Sequence, residues 1–171
     1  MKGVVQHIVV MGVSGAGKST TGEALARHLA GPSSRATAFT PRPMSPRCAT
    51  AFRWTTATAS PGCGRWPPRS RGTRRGGQSS VMGCSSLKRA YRDILRQGAP
   101  VVRFVHVHGS RALLESRLSH RAGHFFPAKL LDSQLATLEP LAPDEDGVVV
   151  DMALSVEDQL HQALRLLGLG G

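Results

Sequence analysis

Gly12-Val13-Ser14-Gly15-Ala16-Gly17-Lys18-Ser19 fits the pattern G-x-x-x-x-G-K-[ST] at every fixed position. The residues on either side supply the context that the pattern needs. Upstream, Val4, Val5, Ile8, Val9, Val10 and Met11 form a nearly continuous apolar, β-branched run, as in a parallel strand buried on both faces. Downstream, Leu25 and Leu29 stand four apart among Ala24, Ala26 and Ala30, which predicts a helix from Thr20 to Ala30. Strand, glycine-rich loop and helix together read as a phosphate-binding P-loop, and a chance glycine-rich turn would lack these flanks.

The chemistry follows from the backbone. Glycines let N–H groups approach phosphate oxygens, and the following helix turns the positive end of its dipole toward them. Gly12, Val13, Ser14, Gly15, Ala16, Gly17, Lys18, Ser19 and Thr20 are therefore the candidate nucleotide-binding residues. Lys18 would reach the β- and γ-phosphates of a nucleoside triphosphate, and Ser19 would place its hydroxyl on Mg²⁺.

At 171 residues the chain is a single domain by length, large enough for a sizeable core. No run approaches the ~18 apolar residues of a membrane span, and the first 20 residues hold a strand and P-loop rather than a signal peptide. The cytoplasm is the default expectation. Cys48, Cys63 and Cys84 are odd in number and lack metal-ligand spacing, so neither a disulfide framework nor a zinc site is inferred. The net charge of +11 would ordinarily suggest nucleic acid or an anionic membrane as partner. Nine of the 22 Lys and Arg residues, however, fall between Ser33 and Ser80, where no Asp or Glu occurs. The remainder carries 13 basic against 11 acidic residues, so neither partner is expected.

Beyond Ala30-Gly31-Pro32, a normal helix stop, the chain changes character. From Ser33 to about Ser80 no helical or strand period is visible, only Arg, Pro, Ser, Thr, Ala and Gly with both tryptophans. Such a segment is either a disordered basic insert or a coding-frame artefact, since a long structureless stretch is foreign to a compact domain. Regular patterning resumes at Val81-Met82, the end of a strand. Ser85 or Ser86 then caps a helix to Gln97 with Leu87, Tyr91, Ile94 and Leu95 on one face. Val101 to Val107 is a central strand, and Ser110 caps a helix carrying Leu113, Leu114 and Leu118 to Gly123. Pro127 opens a helix with Leu130, Leu131, Leu135 and Leu138 as its stripe. Gly147 to Met152 is a strand, and Ser155-Val156-Glu157-Asp158 resembles a capping box opening a last helix. Alternating strands and helices give an α/β fold, a parallel sheet with helices on both faces.

Three blocks together resemble the bacterial gluconokinase family: the P-loop; Cys84-Ser85-Ser86-Leu87-Lys88-Arg89-Ala90-Tyr91-Arg92-Asp93; and His124-Phe125-Phe126-Pro127 with Leu130-Leu131-Asp132-Ser133-Gln134 and Leu138-Glu139-Pro140. The resemblance covers residues 1–32 and about 80–168. It implies a nucleoside-monophosphate-kinase-like P-loop fold and transfer of a phosphoryl group from Mg·ATP to the 6-hydroxyl of D-gluconate. A homodimer stays open.

The family pattern also implies a segment G-D-x-x-H-P…N-x-x-K-M-x-x-G-x-P-L-x-D-x-D-R-x-P-W-L between the blocks, which the chain lacks. Regrouped codons restore it. Met44-Ser45-Pro46-Arg47-Cys48 can be encoded as ATG TCG CCA AGA TGC; with an A in front, the bases read one position earlier give N-V-A-K-M. From Ala49 to Cys63, allowed codons regroup to R-D-G-I-P-L-D-D-G-D-R-V-P-W-L. Free third bases ease such a match but do not easily produce one so long and so ordered. Residues 33–78 therefore read as out of frame, through a net one-base loss near Pro32 and a compensating gain before Val81.

In the family the missing segment supplies an acidic residue suited to positioning the substrate hydroxyl or accepting its proton, with basic groups near the sugar acid. None has a counterpart at its place here. By resemblance, Ser85, Lys88 and Arg89 border the substrate, where cations would meet the gluconate carboxylate or the transferring phosphoryl group, the alternative being a solvated helix face. Arg121 and His124 flank Gly123 in the suspected lid; Arg121 is the candidate catalytic cation and His124 a substrate contact. Arg117 and Lys129 read as surface charge, and Asp132 and Glu139 as helix-surface residues. His106 and His108 stand at strand spacing with no third metal ligand. Asp151, at a strand's end, stays open. Other readings are a shikimate-kinase-like enzyme, a non-catalytic nucleotide binder and a basic nucleic-acid binder.

Overall fold

The computed structural model describes residues 7–30, 39–41, 79–97, 101–120 and 128–170. Five strands form one parallel sheet: β1 (His7–Met11), β2 (Phe39–Pro41), β3 (Ser80–Gly83), β4 (Val102–His108) and β5 (Gly147–Asp151), in the order β2-β3-β1-β4-β5. Among the described residues five helices accompany them: α1 (Lys18–Ala30), α2 (Arg89–Gln97), α3 (Arg111–Ser119), α4 (Ala128–Thr137) and α5 (Val156–Leu166). With β1 central and all strands parallel, the P-loop and the segments following β3, β4 and β5 emerge at one edge of the sheet. That carboxyl edge is where open α/β sheets bind ligands.

The apolar run of β1 behaves as its composition requires. Ile8, Val9, Val10 and Met11 are all fully buried. Because strand side chains alternate, Ile8 and Val10 join Val105, Val107, Leu25, Leu114, Leu131 and Leu164 in the larger core, on the face that α1, α3, α4 and α5 cover. Val9 and Met11 join Met82, Phe104 and Leu95 in a smaller core on the α2 face.

Local signals held where the expectation rested on local chemistry. Ser110 caps α3, its hydroxyl accepting the Leu113 N–H. Ser155 caps α5, accepting from Asp158 N–H and donating to the Asp158 carboxylate at 2.6 Å.

Four expectations need correction. A strand, β2, lies within the stretch where the sequence shows no strand period; it is a three-residue edge strand held by backbone pairing to β3, so it requires no alternation, and an edge tolerates Pro41. Neither Ser85 nor Ser86 caps α2, which begins only at Arg89, because Ser86 takes a left-handed conformation at φ 43°. The buried face of α2 is also turned from the one read: Arg92 and Leu95 are buried, whereas Tyr91 and Ile94 are partly exposed. The helix expected to run to Gly123 ends at Ser119, with His120 as its C-cap. The rest of the 33–78 segment, Arg121, His124 and the Gly123 hinge lie outside the described residues.

Candidate phosphate-binding and acceptor site

The P-loop requires glycine at specific points. Gly12 has φ 140°, and a Cβ there would lie 2.6 Å from the Val107 carbonyl oxygen. Gly15 has φ 82°, and its Cβ would come within 2.8 Å of Leu118 Cγ. Both contacts are with the framework that carries the loop, so a side chain at either position would push the loop off β4 or α3. Lys18 opens α1 and donates from Nζ to the Val13 carbonyl at 2.9 Å, so its ammonium lies over the loop. Ser19 and Thr20 follow in the first turn with exposed side chains. A cradle that only glycine fits, a helix N-terminus and an ammonium folded across them suit a polyphosphate, and the exposed Ser19 hydroxyl suits its magnesium ion.

Several polar side chains hold this loop that motif matching does not reveal. Thr21, buried one turn into α1, donates its single hydroxyl hydrogen to Gln159 Oε1 of α5 at 2.7 Å, with Gly17 O as a longer, shared acceptor at 3.2 Å. Gln159 in turn donates to Leu154 O at 2.9 Å, fixing the segment after β5. Arg117 is exposed, as read from the sequence, and its guanidinium reaches across to the Met152 carbonyl at 2.5 Å. A Cβ on Gly17 would lie 3.5 Å from its Nη1. Gln134 of α4 accepts the Ser14 N–H at 2.7 Å and donates to Ser14 Oγ at 3.1 Å. The signal available for Thr21, Gln134 and Gln159 is a polar residue at an apolar position of a helix.

On the other side of β1, the segment after β3 is joined to the P-loop. Gly12 N–H donates to Ser85 O at 3.3 Å, and Cys84 N–H to Val10 O at 3.0 Å. Ser86 combines its positive φ with a buried hydroxyl that has no partner among the described residues. Such a conformation costs about 1–3 kcal/mol and persists where surroundings over-determine it. Those surroundings centre on Arg92. Its fully buried guanidinium pairs with Glu145 (Nε to Oε1 2.6 Å, Nη2 to Oε2 2.8 Å) and donates to the carbonyls of Ser86, Leu87, Glu139 and Pro140 at 3.0–3.4 Å. Arg92 beside it holds the Glu145 carboxyl below its ordinary pKa, against the opposing effect of burial.

The Cys84–Asp93 and Leu138–Pro140 blocks are therefore one structure. Glu139 N–H donates to Leu87 O at 2.8 Å, and the Glu139 carboxylate accepts the Arg89 N–H at 2.7 Å, at the start of α2. Lys88 stands exposed beside this junction. The Arg89 side chain is bidentate on Asp144, at 2.9 and 2.5 Å. Asp132 pairs with Arg111 at 2.8 Å, linking α4 to α3, and Lys129 is exposed. His106 is buried on β4 with its ring edge-on to His108, centroids 5.4 Å apart. Burial, reinforced by His108 and Arg92, lowers its pKa to about 4.

The structure thus brings Ser85, Lys88 and Arg89 to the same sheet edge as the P-loop. No helix among the described residues is long and apolar enough to cross a membrane.

A comparison with protein-family profiles finds no match. Individual proteins do match. The gluconokinase of Gluconobacter oxydans is 40% identical over 163 residues, covering 94% of this chain and 90% of its own length. A sugar kinase structure from Janibacter sp. superposes with a TM-score of 0.79 at 36% identity, covering 97% of this chain and 96% of that one. A gluconokinase structure from Sinorhizobium meliloti gives 0.73 at 36% identity, covering 95% and 91%. With this identity spread over nearly its whole length, on the P-loop sheet that those structures share, the chain belongs to the gluconokinase family.

Proposed function

We propose that this protein is a cytoplasmic ATP-dependent kinase whose acceptor is the 6-hydroxyl of D-gluconate. The observation that carries the reading is the direct hydrogen bond from Gly12 of the P-loop to Ser85 of the acceptor block, within a chain of the gluconokinase family. In the transfer, the substrate oxygen attacks the γ-phosphorus in line as the bond to the β–γ bridging oxygen breaks, releasing ADP. The loop N–H groups and Lys18 stabilise the charge on the phosphate oxygens. Mg²⁺, held by the Ser19 hydroxyl, supplies further neutralisation when bound. Arg117, lying between Gly17 and the Met152 carbonyl, forms a wall for the nucleotide. Lys88 and, once released from Asp144, Arg89 are the cations for the carboxylate of the sugar acid. By the family resemblance, Arg121 would be the catalytic cation and His124 a substrate contact.

The same reading makes the chain as written a poor enzyme, because residues 33–78 lack the acidic group that would orient the acceptor hydroxyl and take its proton. Positioning alone can account for about 7–11 kcal/mol of a barrier. The chain then retains nucleotide binding and loses most transfer. The test measures ADP release by the written chain and by a version with the regrouped codons restored, each with gluconate or shikimate, and by Lys18→Ala in both. The restored protein should turn over with gluconate far faster than with shikimate, the written chain should be slower by orders of magnitude, and Lys18→Ala should abolish ATP binding in both. Comparable turnover with both acceptors would overturn the gluconate assignment. Equal rates for the two chains would overturn the frame reading.

A further inference from the structure

We infer that Gln134 is a positioning residue that presents the Ser14 hydroxyl as a hydrogen-bond donor to the terminal phosphoryl group of the bound nucleotide. This rests on the ATP reading above and adds a specific role to two residues of the site.

The argument begins with the packing of α4. Leu131 is 1% exposed in the main core, and Gln134 lies three residues on, hence on the same face of the helix. Core packing therefore turns Gln134 inward, and its amide, 7% exposed, meets the P-loop at Ser14. The orientation of that amide is not arbitrary. The Ser14 backbone N–H can only donate, so the amide atom 2.7 Å from it is the carbonyl oxygen. That places Nε2 against Ser14 Oγ at 3.1 Å, and Nε2 can only donate.

Two consequences follow. The Ser14 N–H is occupied by the amide, so the contribution of this residue to an anion comes from its hydroxyl. The hydroxyl oxygen accepts from Gln134, which leaves its own hydrogen for another acceptor. In the third position of a loop whose glycines and lysine surround a polyphosphate, that acceptor is a phosphoryl oxygen. Gln134 thereby turns an ambivalent hydroxyl into an oriented donor before the nucleotide arrives, and it does so without bringing a charge to the anion site.

The tie also has a mechanical side. Leu118 of α3 packs on Gly15, Arg117 of α3 lies beside Gly17, and Arg111 of α3 pairs with Asp132 of α4. The two helices that bracket residues 120–127 thus both rest on the P-loop, α4 through Gln134.

Calorimetric Kd values for ATP and ADP, measured on the full chain and on Gln134→Ala, Gln134→Glu, Ser14→Ala and the Gln134→Ala/Ser14→Ala double variant, test the proposal. The preference for ATP over ADP should fall about tenfold in each single variant, one charge-assisted hydrogen bond. The double variant should fall no further than Ser14→Ala alone. The double variant is decisive, because it separates a role exercised through the Ser14 hydroxyl from a tie that acts on its own. Gln134→Glu, whose carboxylate still accepts the Ser14 N–H but draws the hydroxyl hydrogen to itself and sets a negative charge beside the anion, should keep the melting temperature and lose at least as much of the ATP preference as Gln134→Ala. An ATP preference like that of the parent in Gln134→Glu, or additive losses in the double variant, would overturn the inference. Failure of the parent to bind either nucleotide would overturn the nucleotide reading beneath it.

Discussion

The two faces of the sheet are fastened to their helices by different chemistry. On the face bearing the P-loop helix the side-chain pairs that hold the loop are neutral, Thr21 with Gln159 and Ser14 with Gln134, and the charge that joins them, Arg117 on the Met152 carbonyl, is a cation. On the α2 face the tie is ionic, Arg92 with Glu145, both side chains fully buried. A fixed carboxylate beside the P-loop would oppose the anion it must bind, so amides, hydroxyls and a cation hold its geometry without adding a negative charge. Across the sheet the task is to gather four carbonyls from two segments, and the N–H groups of one guanidinium do this while Glu145 cancels its charge.

That contrast sets the largest expected effect. Arg92→Met should destabilise the protein by about 3–5 kcal/mol in urea unfolding, because it leaves Glu145 buried without a counter-charge. The double variant Arg92→Met/Glu145→Leu should recover part of the loss, the unpaired carbonyls accounting for the remainder. A single variant that melts like the parent would mean that the ionic tie is not what holds the α2 face.

The second effect is a pH dependence confined to the same face. The pKa of His106 is lowered to about 4 in the folded protein, by burial first and then by His108 and Arg92, against an ordinary value of 6.5. The unfolded chain therefore binds more protons between these values. The stability that neutral His106 contributes is complete above about pH 6.5 and is lost as pH falls toward 4, with a ceiling of about 3 kcal/mol. Glu145, its pKa depressed by Arg92, adds a further loss at more acidic pH, as the medium falls from the ordinary carboxylate range through its folded value. His106→Phe should flatten the stability profile between pH 6.5 and 4 and leave the acid limb in place. An unchanged slope in that window would remove His106 from the account.

What the sequence revealed divides along similar lines. The P-loop, the strand Ile8–Met11 and the caps at Ser110 and Ser155 were legible because each is decided by neighbours within a few residues. The start of α2 was not, because the group that accepts the Arg89 N–H is Glu139, fifty positions away. Arg92 was missed as a core residue because charge on a helix reads as solvent-facing unless its buried partner is known, and Glu145 sits in a loop. Gln134 appeared only as one letter of a family block; its contact with Ser14 spans 120 positions. The Lys88 and Arg89 roles, carried by resemblance, depend on an acceptor that the described residues do not themselves define.

The smallest expected effect on stability comes from the ion pair that looks strongest by distance. Arg89 is bidentate on Asp144, which raises the pKa of the arginine and lowers that of the aspartate, yet both side chains are largely in solvent. Water screens such a pair, and holding two exposed side chains in one geometry carries its own entropic cost. Asp144→Asn should therefore leave the urea midpoint where it is, in contrast to the buried pair one turn along the same helix. Its effect should appear in binding instead. With Asp144 neutralised, the Arg89 guanidinium no longer has to leave a carboxylate to meet one, so in the codon-restored protein the KM for gluconate should fall severalfold with kcat little altered. A lowered midpoint would mean that exposure does not separate the two pairs, and an unchanged KM would take Arg89 out of the acceptor site.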